Sequence, residues 1–262
     1  MLNSILYPMN QLTINPQLER NHIVDFLKKT FAEQKINKAI IGLSGGLDST
    51  VCLFFLKEAL PLKNIFAYHL PYNKENKIVA QTLKKLSFPQ ENFQIILIKT
   101  VVDQFKHLTG NHLAINHLRI GNIISRTRMI ILFDQAKKYN ALVCGTENRS
   151  EHLLGYFTRF GDSASDIEPI QHLYKTQVLE LAKYLGIFKE IINQSPTAGL
   201  WPGQTDEDDF GFTYQEADQV LHLYFDEKLT LGKIIKKGYK NADKIIKLVE
   251  ANKFKSKTPY KL

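Results

Sequence analysis

Apolar and polar positions follow two regimes along the 262 residues. Up to about residue 145, apolar runs of strand length at 38–41, 64–70, 92–98 and 141–144 take turns with stretches of helical period. Pro16 followed by Ile23, Val24, Phe26, Leu27 and Phe31 predicts an opening amphipathic helix with proline in its first turn. Further helices are expected over 51–60 and 75–86, from 101 to 105 onward, and over 118–139, with a polar loop at 109–116. Strands alternating with helices predict an α/β fold: a doubly wound parallel sheet with right-handed crossovers and helices on both faces. Beyond residue 145 the pattern turns helical and broken. Helices are expected over 176–185, stopped by Gly186, and over 214–225, 229–236 and 241–249. Between them, 159–172 is a poor helix, and 194–211 carries two prolines, three glycines and four acidic residues without any period. A stretch that long without a pattern reads as a lid or as a disordered segment. The whole chain, 1–262, is expected to form one domain with a helical C-terminal part and a basic tail at 253–262.

One stretch at a strand end changes the picture from fold to chemistry. Gly42-Leu43-Ser44-Gly45-Gly46-Leu47-Asp48-Ser49 lies between the first strand and the apolar helix, and Asp48-Ser49-Thr50 are expected to cap that helix. Three glycines let backbone N–H groups approach an anion, and the helix dipole adds partial positive charge there. This makes a phosphate cradle. A Walker loop would follow its last glycine with Lys and then Ser or Thr; here Leu47 and Asp48 follow instead. A carboxylate beside polyphosphate needs a cation between them, so Asp48 is expected to hold Mg2+. Without a lysine for the γ-phosphate, the loop suits pyrophosphate leaving as a unit, which means adenylyl transfer from ATP. The residues Ser44-Gly45-Gly46-Leu47-Asp48-Ser49 resemble the SGGxDS loop of the ATP-pyrophosphatase (PP-loop) superfamily, whose fold is the adenine-nucleotide alpha-hydrolase type. In such sheets ligands bind beyond the carboxyl ends of strands where connections diverge, and Gly42 and Gly145 mark two such ends.

Composition narrows the setting. With 44% apolar residues the chain can bury a substantial core. No stretch approaches the roughly 20 apolar residues of a membrane helix, and the first 15 residues lack the build of a signal peptide, so a cytoplasmic protein is expected. Cys52 and Cys144 form no C-x-x-C pair and read as core residues. The net charge of +8 suits anionic small molecules as well as nucleic acid, and does not choose between them.

Other constellations are weak one by one. Glu147 and Glu151 are four apart, so either is a candidate to meet a cation at the crevice; Arg126 and Arg128 sit on the long helix; Asp162 and Asp166 sit in the 159–172 loop. Their order is specific. Asn122-Ile123-Ile124-Ser125-Arg126-Thr127-Arg128-Met129, Gly145-Thr146 with Glu151, Gly155-Tyr156-Phe157-Thr158-Arg159-Phe160-Gly161-Asp162, Pro196-Thr197-Ala198 and Gly203-Gln204-Thr205-Asp206-Glu207 together resemble the NAD synthetase family over nearly the whole chain. The resemblance implies a ligase that adenylates the nicotinate carboxylate of deamido-NAD with ATP, releases pyrophosphate, and lets ammonia displace AMP. It implies ATP contacts from Gly42, Leu43, Ser44, Gly45, Gly46, Leu47, Asp48 and Ser49 with Thr146, Lys175 and Thr197. It further implies Mg2+ on Asp48 and Glu151, deamido-NAD contacts from Arg126, Arg159, Asp166, Phe254 and Lys255, and Asp162 as a carboxylate that orients ammonia. The catalytic set is then Asp48, Lys175 and Asp162. Lys175 supplies the cation that the loop itself lacks.

The chain departs from the family at three places. Arg159 stands for a common lysine, Phe254 for a histidine, and Gly199 for an aspartate. The family's lid corresponds to 194–211, where closure would keep water from the adenylate. A homodimer is implied, with 118–133 as a candidate surface. Nothing in the chain resembles an amidotransferase module, none preceding Pro16, so free ammonia is the expected nitrogen source, with no membrane or nucleic-acid partner. A tRNA-modifying PP-loop enzyme would add an RNA-binding domain or a thiolating cysteine pair. A non-catalytic nucleotide-binding module would not need Asp48, Glu151 and Lys175 together.

Overall fold

The computed structural model describes residues 12–110, 117–201 and 203–261. Its frame is a parallel sheet of four strands, β1 (Ala39–Gly42), β2 (Ile65–His69), β3 (Phe93–Ile95) and β4 (Leu142–Cys144), in the order β3-β2-β1-β4. Ile41 pairs with Ala67 on one side and Cys144 on the other. The chain steps outward from β1 to β2 and β3, then returns to place β4 on the far side of β1. The switch point therefore lies between the ends of β1 and β4, at Gly42 and Gly145, as the doubly wound reading requires.

Helices cover both faces. Around the first half of the chain run α1 (Pro16–Gln34), α2 (Leu47–Ala59), α3 (Lys77–Lys85), α4 (Lys99–Leu108) and α5 (His117–Tyr139). The second half adds α6 (Arg149–Leu154), α7 (Lys175–Tyr184), α8 (Lys189–Ile192), α9 (Asp206–Phe210), α10 (Tyr214–Leu221), α11 (Leu231–Lys236) and α12 (Ala242–Asn252). The strand pleat sorts the core: Ala39 and Ile41 face α1, α2, α3 and α7, whereas Ile40 faces α4 and α5 together with Tyr68 and Val143. α2 is the buried spine, with Val51, Cys52, Leu53, Phe55 and Leu56 all at 0% exposure. Each such side chain contributes about 1.5–3 kcal/mol of hydrophobic stabilisation. A third apolar cluster joins α6, α10, α11 and α12 and carries the C-terminal part.

Several boundaries differ from the sequence pattern for local reasons. α1 buries Ile23, Val24, Leu27 and Phe31 but leaves Phe26 exposed, because at about 100° per residue position 26 lies outside the arc that those four share. α8 and α9 are too short to show a period. α10 continues into a π-helical turn, His222–Asp226, where a single helix had been expected. The polar loop expected at 109–116 lies mostly outside the described residues. Both cysteines are buried and free, and burial raises the Cys52 thiol well above its usual range. No helix among the described residues is long and apolar enough to cross a membrane.

Candidate active site

The cradle forms where β1 runs out. Leu43 still donates its N–H to the Tyr68 carbonyl at 2.8 Å, and the chain then turns through Gly45 at φ +84°, a conformation that favours glycine. α2 begins at Leu47, earlier than expected, with Gly46 as its N-cap and no capping side chain. The expected caps fold back instead: Ser49 Oγ and Thr50 Oγ1 donate to the Gly46 carbonyl at 3.2 and 2.8 Å, and Ser44 Oγ accepts the Gly46 N–H at 3.1 Å. The leading edge of α2 is thereby left to an anion in the cleft.

Three charged side chains from distant parts of the chain meet there. Lys175 Nζ, at the start of α7, lies 2.5 Å from Asp48 Oδ2 and 3.4 Å from Glu151 Oε1. All three are largely buried, with side-chain exposures of 9%, 16% and 18% for Lys175, Asp48 and Glu151. Burial alone would lower the Lys175 ammonium, but the charges of Asp48 and Glu151 outweigh it and hold the lysine protonated well above its ordinary range. Burial pushes the Glu151 carboxyl up, Lys175 opposes this, and the negative charges of Asp48 and Asp206 add to it. Asn148 links the set: its Nδ2 donates to Asp48 Oδ1 at 3.1 Å while its Oδ1 accepts the Glu151 N–H at 3.0 Å in a capping box for α6. Asn148, not among the expected site residues, carries a capping-box signature in Asn148-x-x-Glu151. Of the two glutamates four apart, Glu151 reaches the site. Glu147 precedes α6 and is turned into the protein, where Gln171 Nε2 donates to it at 2.9 Å.

Lys175 is fixed from behind. Its N–H donates to Ser150 Oγ at 2.9 Å, Ser150 Oγ donates to Asp218 Oδ1, and Asp218 Oδ2 accepts the Thr176 N–H at 2.8 Å. Burial pushes the Asp218 carboxyl up to about 6 against these hydrogen bonds. No sequence signal marked Asp218, which lies on α10.

The cleft above measures about 1180 Å³ and is walled by the cradle, the 71–74 connection, α5 and the 194–201 segment. Thr146, Thr197, Asp162 and Lys255 all line it. Asp162 Oδ1 accepts Ser125 Oγ at 2.6 Å and the Thr158 N–H at 2.8 Å. Desolvation by the surrounding protein raises its carboxyl, and the hydrogen bonds from Ser125 and Thr158 restrain the rise. Lys255 Nζ donates to the Gly155 and Phe157 carbonyls at 2.7 and 3.1 Å, and burial lowers its ammonium.

Four expected dinucleotide contacts do not line the cleft. Asp166 is pinned at the edge of β4, its Oδ2 accepting the Val143 N–H at 2.8 Å. Exposed Arg126 donates from Nε and Nη2 to the Arg159 carbonyl at 3.3 and 3.1 Å. The Arg159 guanidinium lies 5.3 Å from the Phe160 ring and 5.7 Å from the Phe254 ring. Arg126, Arg159 and Phe254 form a rim beside cleft-lining Thr158 and Lys255. On α5, Arg128 rather than Arg126 faces the cleft, its Nε donating to the Leu70 carbonyl at 3.1 Å.

The 194–211 segment carries its own order. Asp206 accepts the Ala198 N–H and Tyr214 Oη at 3.0 Å each, Gln204 donates to Tyr156 Oη and Asp209, and Leu200 packs against Gly121, where a Cβ would collide with it.

An open parallel sheet, a glycine cradle at its switch point and a buried Lys–Asp–Glu cluster at the cradle define an adenylating α/β enzyme of the ATP-pyrophosphatase class. Comparison with known proteins refines this. A family model described as NAD synthase matches residues 19–259. The chain is 38% identical over 260 residues to the NH(3)-dependent NAD(+) synthetase of Fusobacterium nucleatum, covering 96% of this chain and 97% of that one. It is 41% identical over 207 residues to the enzyme of the same name from Thermococcus sibiricus, covering 79% and 80%. Among solved structures it superposes on the NMN synthetase of Francisella tularensis with a TM-score of 0.82 and 32% identity over 95% of this chain and 99% of that one. It also superposes on the NH3-dependent NAD synthetase of Campylobacter jejuni with a TM-score of 0.78 and 28% identity over 95% and 100%. The chain belongs to the NAD synthase family.

Proposed function

We propose that this cleft makes NAD from deamido-NAD, ATP and free ammonia, as a C–N bond-forming ligase. The observation that carries this reading is the convergence of Lys175, Asp48 and Glu151 on the open end of α2, in the same cleft as Asp162. A nicotinate carboxylate oxygen attacks the α-phosphorus of ATP, the bond to the β-phosphate oxygen breaks, and pyrophosphate leaves. The cradle amides of 42–49 and Lys175 hold the phosphates and offset the developing charge. Thr146 and Thr197 complete the nucleotide contacts. Ammonia then attacks the acyl carbon, the C–O bond to AMP breaks, and the surplus proton passes to Asp162. Asp162 Oδ1 is already engaged by Ser125 and Thr158, which leaves Oδ2 for the incoming nitrogen.

Asp48 and Glu151 fit Mg2+: both are hard oxygen donors, and both converge on one cationic atom, Lys175 Nζ. Two protein carboxylates leave most of an octahedral shell to water and phosphate, as Mg2+ prefers. When bound, the ion neutralises phosphate charge. Arg126, Arg159 and Phe254 at the rim, Lys255 in the cleft and Asp166 at the edge of β4 are assigned to contacts with deamido-NAD. The 194–211 segment acts as the lid of a single domain, opening for substrate and excluding water from the adenylate once shut.

The chain works as a cytoplasmic homodimer. The 118–133 helix expected as the dimer surface exposes Leu118 and Ile130, and Ile95, Leu97, Val101, Phe105 and Leu108, on and near edge strand β3 and along α4, are further exposed apolar side chains that a second copy would cover. The reading is tested by incubating the protein with ATP, Mg2+, ammonium and deamido-NAD. NAD and pyrophosphate are expected in equal amounts, far above an Asp48→Asn control. Turnover on glutamine as fast as on ammonium would refute the nitrogen source, and ADP in place of AMP would refute the chemistry.

A further inference from the structure

Beside the cradle, in the wall of the cleft, lies a polar brace that none of these steps uses. β2 ends at His69, only 5% exposed, and both of its ring nitrogens are engaged. Nδ1 faces the Leu43 carbonyl oxygen at 2.7 Å, and Nε2 faces the Asn76 N–H at 3.0 Å. A carbonyl can only accept and an amide N–H can only donate, so the ring carries its proton on Nδ1 and a lone pair on Nε2. Asn76 acts twice. Its Oδ1 caps α3 by accepting the Ile78 N–H at 3.1 Å, and its Nδ2 donates to the Ser44 carbonyl at 3.2 Å. Its side chain also fills the space above Gly45, where a Cβ would collide with it.

Two consecutive cradle carbonyls, Leu43 and Ser44, are therefore drawn toward the connection between β2 and α3. In a trans peptide unit the C=O and the following N–H point in opposite directions. Holding these two carbonyls against His69 and Asn76 turns the N–H groups of Ser44 and Gly45 the other way and so fixes the orientation of two cradle donors. The same brace ties down the connection whose residues Pro71, Tyr72, Asn73 and Lys74 wall the cleft. The contacts span |i−j| of 26 and 32 residues, so they join two loops rather than stabilise one.

We propose that His69 and Asn76 are positioning residues for ATP, setting the orientation of the cradle amides and the adjoining cleft wall while acting through the loop. The proposal rests on the cradle being the ATP site. Three variants separate positioning from folding. His69→Leu removes both ring bonds at similar bulk. Asn76→Ser keeps an N-cap for α3 and loses the bond to Ser44. His69→Gln retains one donor and one acceptor on its amide. The readouts are the Kd of ATP by calorimetry without deamido-NAD, the KM of each substrate, and the melting temperature. His69→Leu and Asn76→Ser are each expected to weaken ATP about tenfold, the scale of one or two lost hydrogen bonds, with the KM of deamido-NAD held within about twofold. His69→Gln recovers most of the loss, and the double variant His69→Leu/Asn76→Ser binds ATP no worse than about the weaker single variant. ATP affinity unchanged in Asn76→Ser, or equal losses for both substrates that track melting temperature, would overturn the proposal. Should the wild type bind ATP but form no NAD, the functional reading fails while the ATP-binding arm still decides the brace.

Discussion

Lys175→Met is the sharpest perturbation of the cleft, because it leaves two buried carboxylates facing one another. At an effective dielectric of about 20, charges about 4 Å apart interact by ~4 kcal/mol, and removing one partner of a buried ion pair costs about 3–5 kcal/mol. In a chain of this length each kcal/mol moves Tm by about 2–4 °C, so the variant should melt about 6–20 °C below the wild type in chelator. Two responses should accompany the loss. Mg2+ should raise the variant's Tm more than the wild type's, since Asp48 and Glu151 then have no other cation. Lowering the pH should also help the variant. The Glu151 carboxyl is already held above its ordinary range by burial, a rise that Lys175 opposes and Asp48 and Asp206 reinforce. A raised carboxyl favours the protonated folded state, a contribution present at low pH and lost as pH rises through the folded pKa. Scanning calorimetry from pH 5 to 8, with and without Mg2+, reads all three effects. A variant melting within about 2 °C of the wild type in chelator, with no added response to Mg2+ or acid, would refute the account of the cluster.

Two further outcomes follow from the same geometry. Burial lifts the Asp218 carboxyl to about 6, so the wild type is destabilised as this group ionises between its unfolded value near 4 and that folded value. Asp218→Asn does not ionise, and urea titrations should show the stability difference shifting toward the variant by up to about 3 kcal/mol between pH 4 and 7; a flat difference would contradict the shift. Phe105→Glu, on the exposed apolar face of α4, is expected to yield monomers in sedimentation velocity where the wild type sediments as a dimer, and an unchanged dimer would move the interface elsewhere.

The legible parts of this protein are those whose chemistry is contiguous. The cradle could be read because strand, glycines and Asp48 occupy a dozen adjacent positions, and the sheet because its strands are mostly apolar, broken by Gln94 in β3 and His69 at the end of β2. The start of α2 was misjudged because Ser49 and Thr50 are good caps by type, yet Gly46 takes the cap and their hydroxyls turn back onto it. What stayed hidden spans distance: Asn148 meets Asp48 across 100 residues and Lys175 meets it across 127. Lys175 was identified only by resemblance, since a lysine opening a helix is ordinarily solvated. His69 and Asp218 carried no local signal, because a buried polar residue is recognised by its partners and those arrive through the fold, while Asn76 showed only the signature of a helix cap.

The central claim is that the nicotinate carboxylate becomes an acyl adenylate. It is tested most directly by supplying deamido-NAD with both carboxylate oxygens as oxygen-18, together with ATP, Mg2+ and ammonium, and weighing the products by mass spectrometry. Transfer through an adenylate predicts one heavy oxygen in AMP, one in the NAD carboxamide and none in pyrophosphate. Unlabelled AMP, with the heavy oxygen appearing in inorganic phosphate or pyrophosphate, would contradict the account.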